Sequence, residues 1–212
     1  MRTVACVMFH DDDRWVMKVL EDLAQYTDEI YVNLNDPTPF IDQVVTNHPL
    51  VKKIIRTSNN GKRWNQGLQR DNTLRMLDEI KPDIVLWPDG DESFPKNLSE
   101  QLVKFWGDPK ALSFWFRLLY LWDKPDQFRN DGLWKRIHHC RAFKWRNDLS
   151  FLPYMGYASP RPYIEESKDT RFNSDTPMIH WGYMHEEDRL RKYARGNFSE
   201  PKTDKGMIIK PL

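Results

Sequence analysis

Three carboxylates fall within four residues at Asp89, Asp91 and Glu92, with Gly90 between the aspartates, directly behind the apolar run 84–87 and Pro88. Carboxylates at that density suit a hard divalent cation, Mn²⁺ or Mg²⁺, which takes carboxylate and phosphate oxygens together and absorbs the charge that develops on a departing diphosphate. An acidic turn leading into a helix near Asn97 is the plainer reading of the same residues. Further acids stand at Asp11, Asp12, Asp13 and Asp36. Their oxygens accept hydrogen bonds from the ring N–H and hydroxyl groups of a nucleotide, and Asp12 or Asp13 serves equally well as a helix cap. Arg70 is a fixed cation; Arg189, Lys192 and Arg195 share one helical face, suited to phosphate or to solvent.

The elements that must position these residues read as β-α steps. Residues 4–9 form a buried strand, followed by Trp15, Val16, Val19, Leu20, Leu23 and Ala24 at helical spacing. Strands follow at 30–34, 51–55 and 84–87, with a helix over 68–80 marked by Leu74, Leu77 and Ile80. Four short strands with intervening helices imply an α/β domain with a mostly parallel central sheet flanked by helices. In such sheets ligands gather beyond the carboxyl ends of the strands, and here those ends are acidic, a crowding that a cation or ligand must relieve. The second half differs: an apolar run over 111–122, a last strand over 178–181, a charged helix over 186–195 and a loosely ordered tail from 199. The expected organisation is one domain over 1–198, divided at residue 100, with a tail over 199–212.

Composition narrows the classes. The 212 residues carry a net charge of +1, yet residues 1–100 hold 12 Lys/Arg against 17 Asp/Glu and the remainder 20 against 14. Mean hydropathy is −0.74, and no apolar run approaches the roughly 20 residues of a membrane span. Two cysteines without zinc spacing indicate neither a disulfide framework nor structural zinc, so a cytoplasmic setting is expected. Neither a dinucleotide glycine fingerprint nor a Walker A sequence follows the first strand.

The apolar strand followed by Asp89-Gly90-Asp91-Glu92 resembles the family 2 glycosyltransferases and related GT-A enzymes. Residues 6–13 are similar to that family's first strand and acidic turn, 28–36 to its nucleotide-contacting strand, 69–72 to its Arg/Asn helix start and 179–183 to its histidine segment. The resemblance covers 3–196 and implies a single Rossmann-like GT-A domain, with 1–100 as the nucleotide and metal half and 101–198 as the acceptor half. It implies that Asp91 ligates Mn²⁺ or Mg²⁺, that His180 completes the metal shell with His185 as its rival, and that Asp89 faces the ribose or donor sugar. Asp36 and one of Asp11 or Asp12 then hold the nucleoside, while Arg70, Arg189 and Lys192 meet phosphate. No clear counterpart of the family's catalytic base occurs; Glu165, Glu166 and Asp148 are the available carboxylates.

The implied activity is metal-dependent transfer of a sugar from a nucleoside-diphosphate sugar, a UDP-sugar in the first instance, to a hydroxyl of a glycan, lipid, protein or modified nucleobase in DNA. The DNA acceptor is suggested by the basic aromatic stretch 128–146, where Trp134, Phe143 and Trp145 alternate with cations. A nucleotidyltransferase, and a non-catalytic module binding sugar nucleotides or nucleic acid, are the competing readings.

Overall fold

The computed structural model describes residues 1–58, 65–132, 134–151, 162, 170–194 and 208–212. The elements run β1 (Thr3–Phe9), α1 (Val16–Leu23), β2 (Glu29–Asn35), α2 (Pro39–Asn47), β3 (Val51–Thr57), α3 (Gln66–Arg75), β4 (Ile84–Leu86), β5 (Glu92–Ser93), α4 (Leu98–Gly107), β6 (Ser113–Trp122), β7 (Lys124–Arg129), β8 (His138–Lys144), β9 (Phe172–Asn173), β10 (Met178–His180), α5 (Glu186–Ala194) and β11 (Ile209–Pro211).

Strand alternation builds the two faces of the sheet. Ala5, Val7 and Phe9 of β1, with Ile84 and Leu86 of β4, pack into one apolar cluster, while Val4, Cys6, Val85 and Trp87 pack into a second. Both faces of β1 and β4 are therefore buried, as parallel strands covered on both sides require. The helix α3 is docked differently, through polar groups. Asn33 of β2 donates from Nδ2 to the Gln69 carbonyl at 3.2 Å and to Thr73 Oγ1 at 3.0 Å, which seats Gln69, Arg70 and Thr73 inward. Beyond Arg75 the expected helix tightens into turns with i→i−3 bonds, as from Met76 N–H to the Thr73 carbonyl, and Lys81 at φ 47 ends it.

Eight strands follow the order β11-β7-β6-β8-β4-β1-β2-β3 among the described residues. The expected parallel arrangement holds from β4 to β3, where all neighbours are parallel. From β4 towards β11 the path is antiparallel; within it β6 turns back into β7 at Asp123, φ 62, a tight reversal that can join only antiparallel strands. The end of the expected loose tail is a strand: β11 pairs with β7.

The chain runs outward from β1 to β2 and β3, then crosses back to β4 on the other flank of β1. That reversal opens a crevice beyond the carboxyl ends of β1 and β4. His10 to Asp13 follow β1 there, and Trp87 to Asp91 follow β4.

Candidate active site

Asp89, Asp91 and Glu92 leave the end of β4 in one turn, and Gly90 allows it. A Cβ on Gly90 would lie 2.8 Å from the Met8 carbonyl oxygen and 2.8 Å from Phe9 Cδ1, so the turn packs directly on the end of β1. The strand β5 then pairs antiparallel with β10, placing His180 opposite Glu92, and β10 lies parallel to β6. These pairings carry a residue 89 positions away from Asp91 to its side.

The two aspartates have different partners. Arg70 donates from NH2 to Asp89 Oδ1 at 2.8 Å, and Arg141 donates to Asp89 Oδ2 at 2.5 Å. Arg141 also forks onto Glu92, with Nε to Oε2 and NH2 to Oε1 both at 2.6 Å. Glu92 Oε2 in turn accepts the Asp89 N–H at 2.9 Å. Burial alone would raise the Asp89 carboxyl, but the guanidiniums of Arg141 and Arg70 outweigh it and hold the carboxyl well below its usual range. Both arginines are 2% exposed, while the Asp89 side chain is 35% exposed, so it remains open on one edge. Arg70 Nε and NH1 and Arg141 NH1 are buried with no hydrogen-bond partner among the described residues. Buried guanidinium N–H groups are costly to leave unpaired.

Asp91 is buried and faces a lysine. Lys192 of α5 donates from Nζ to Asp91 Oδ2 at 2.5 Å, and His180 Nε2 lies 3.6 Å from Asp91 Oδ1. Burial pushes the His180 imidazole down to about 4, so it is uncharged at neutral pH. Burial raises the Asp91 carboxyl, and His180 and Lys192 bring it below its ordinary value; with the imidazole uncharged, Lys192 is the cation that does so near neutrality. His180 packs at a tilt against Tyr120 and Tyr183, with ring centroids 4.6 and 5.2 Å away. Gly182 provides the room, since a Cβ there would overlap the Asp91 carboxylate and the Lys192 ammonium. Asp12 overlooks the same corner: its Oδ2 would sit 3.0 Å from a Cβ on Gly90, and burial, then the Asp91 charge, push its carboxyl up to about 6.

A divalent ion here would need Asp91. Among the described residues no three His, Cys, Asp or Glu side chains converge as a metal cage. The nearest pair, Asp91 and His180, shares its carboxylate with the Lys192 ammonium, and a second cation would meet that ammonium at short range in buried surroundings. The residues do not fit the resident Mn²⁺ or Mg²⁺ expected on Asp91 and His180. They fit a carboxylate that already has its counter-ion.

The remaining expected residues are scattered. Asp11 is tied to α5, its carbonyl accepting from Arg191 NH1 at 2.9 Å. Neither Asp12 nor Asp13 caps α1, whose first residue follows Trp15 with no side-chain cap; Asp13 instead accepts from the Thr38 hydroxyl. Asp36 is exposed at the end of β2 with φ 44, its N–H on the Thr57 carbonyl at 3.0 Å. Arg189 does not join Lys192 at the acids: it clamps the Tyr183 and Met184 carbonyls and Asp123, and covers the Trp122 ring. His185 stacks on Trp15 at 5.8 Å. Asp148 pairs with Arg146 and is 63% exposed. Glu165, Glu166 and Arg195 lie outside the described residues.

Sequence reading missed Arg141 and His139. Arg141 is one of the cations of the stretch 128–146, yet it interrupts the buried run Cys140, Ala142, Phe143 of β8, and a charge amid apolar residues is the available signal. His139 has a buried Nδ1 without a partner among the described residues, and burial, then Arg141, push it down to about 3. The same stretch loses its nucleic-acid reading. Phe143 is fully buried, Trp134 and Trp145 pack against the cores, and Arg129 is paired with Asp131 and lies over Trp122 and Trp134, so the three rings offer no stacking surface, while Lys135 and Arg136 are exposed.

The topology and the crevice at the β1–β4 reversal define the GT-A glycosyltransferase fold. Solved neighbours include S. aureus TarS 1–349 in complex with UDP, with a TM-score of 0.56, 15% identity and coverage of 90% of this chain and 63% of that one. Mannosyl-3-phosphoglycerate synthase from Rubrobacter xylanophilus matches with a TM-score of 0.53 and 13% identity, covering 99% of this chain and 86% of that one. GalNAc-T7 with UDP, GalNAc and Mn²⁺ matches with a TM-score of 0.41, 16% identity and coverage of 57% and 23%, too loosely to bear on the residues around Asp91. The chain spans 37% of a longer TarS structure. No protein-family model and no curated protein sequence matches it. Among the described residues no helix is long and apolar enough to cross a membrane.

Proposed function

We propose that this chain is a glycosyltransferase that takes a sugar from a nucleoside-diphosphate sugar, with UDP as the nucleotide, and passes it to a hydroxyl acceptor. The observation that carries the reading is the acidic turn at the end of β4, where two buried arginines hold Asp89 with one edge open at the crevice in which α/β sheets of this kind take their ligands. TarS, a neighbour of the same fold, has been solved with UDP, which supports that nucleotide.

In this reading the first hundred residues hold the nucleoside, with Asp12 and the exposed Asp36 on its base and ribose, and Asp89 presents its open edge to the ribose or donor sugar. Arg70 and Arg141 keep Asp89 ionised and in place. The bond between the anomeric carbon and the diphosphate oxygen breaks with its electron pair left on the diphosphate. The acceptor hydroxyl oxygen bonds to that carbon, and its proton is released. Cations near the diphosphate lower this barrier by neutralising the developing charge. Residues 101–198 supply the acceptor side, for a hydroxyl of a glycan, lipid or protein.

UDP release from a panel of UDP-sugars, with water and then with mixed hydroxyl acceptors, tests the proposal. Turnover of one donor with appearance of free UDP is the expected result. Failure to bind or turn over any nucleoside-diphosphate sugar would sink it.

A further inference from the structure

We propose that Lys192 is the built-in cation of this site, its ammonium standing on Asp91 where a divalent ion would otherwise stand and meeting the diphosphate of the donor directly. The inference rests on the nucleotide-sugar reading above and deepens it.

Four observations converge on this lysine. Its Nζ lies 2.5 Å from Asp91 Oδ2, and its side chain is only 17% exposed, so the ammonium belongs to the buried corner and not to a solvated helix face. The face of Tyr183 lies 4.8 Å from the ammonium, a second attraction for a desolvated cation. Gly182 leaves the space that Nζ and the Asp91 carboxylate fill together. Arg189, one turn earlier on α5, is held away by Asp123 and two carbonyls, and Arg191 is paired with Asp11 and Asp188, so Lys192 is the α5 cation that stands on Asp91.

An ammonium carries three N–H donors. One is used on Asp91, so the others are available to diphosphate oxygens, and the charge the leaving group gains is met by a group that does not have to be recruited from solution. Asp91 then acts as a positioning residue, holding the ammonium where a metal ligand would hold the metal. Lysine is a compact point charge on a flexible stem, which suits a diphosphate that moves as its bond to the sugar breaks.

The test is UDP binding by calorimetry to the full chain, in EDTA and in MnCl₂, with the Mn²⁺ spin signal recorded in parallel. The wild type is expected to bind UDP with the same affinity, within about twofold, under both conditions and to leave the Mn²⁺ signal unchanged. Lys192→Ala should weaken UDP at least about tenfold in EDTA, and should now take up Mn²⁺ through the freed Asp91 and His180, regaining affinity when Mn²⁺ is present. Lys192→Arg should restore part of the EDTA affinity, which a loss of fold would not allow, and the thermal transition of each variant checks the fold itself. Wild-type binding that needs Mn²⁺, or tightens more than about tenfold with it, overturns the lysine assignment and leaves the transferase reading standing. No UDP binding in either condition overturns both.

Discussion

The Asp89 corner and the Asp91 corner of one acidic turn are built on different principles. Asp89 and Glu92 are locked by arginines from two elements through four hydrogen bonds, with a fifth from the Asp89 N–H to Glu92. Asp91 has a single ammonium and a neutral imidazole that stands 3.6 Å off. The first arrangement holds geometry; the second leaves donors uncommitted. Under the proposed function, the first would grip the nucleotide and the second would meet the departing diphosphate.

The sharpest way to break the contrast is to remove one cation from each corner. Arg141→Ala strands Glu92 in the core without its partner and should cost about 3–5 kcal/mol in denaturant unfolding. Gly90→Ala meets the Met8 carbonyl, which belongs to the backbone of β1 and cannot step aside, and should cost about 1–3 kcal/mol by the same measurement. Lys192→Ala should cost about 1–2 kcal/mol, between an exposed and a fully buried pair. Equal losses for Arg141→Ala and Lys192→Ala would erase the distinction. Gly182→Ala meets only side-chain ends, so its fold should survive with a smaller loss than Gly90→Ala, while UDP binding falls with the displaced ammonium; melting and calorimetry on one preparation separate the two.

The smallest effect is a pH slope. Asp12 has a carboxyl raised from 3.8 to about 6, so the folded state holds its proton more tightly, and the resulting stability is complete below about pH 4 and lost as pH rises through 6. Asp89 is lowered, so its contribution is present above the ordinary carboxylate range and lost only in stronger acid. Asp12→Asn should therefore gain stability on the wild type between about pH 4 and pH 7, and Asp89→Asn should lose it above about pH 4. Thermal melts across that range check both signs; a parallel shift of the two variants would show that the corners do not differ.

The parallel half of the fold was legible because its signals are local. Residues 4–9, 30–34 and 84–86 are short, mainly apolar runs closed by acids or turn residues, and 51–55 sets Val51, Ile54 and Ile55 around two lysines; each is found in a strand. The path of the antiparallel half has no such local signal, since β6, β7, β8 and β11 differ in which strand they meet and not in any local period. Arg189 and Lys192 show the same limit within one helix. Three residues apart and chemically alike, they were grouped as one phosphate-facing surface; one anchors the chain to Asp123 and the other enters the acids.

By itself the sequence determined that carboxylates would collect at strand ends, because strand periodicity and the residues that stop a strand are encoded within a few positions of each other. Only the tertiary structure decided which cation neutralises which acid. Arg141 reaches Glu92 across 49 positions and Lys192 reaches Asp91 across 101. Coulomb attraction selects partners by distance in space, and the β4–β8 and β5–β10 pairings that set those distances depend on the whole sheet.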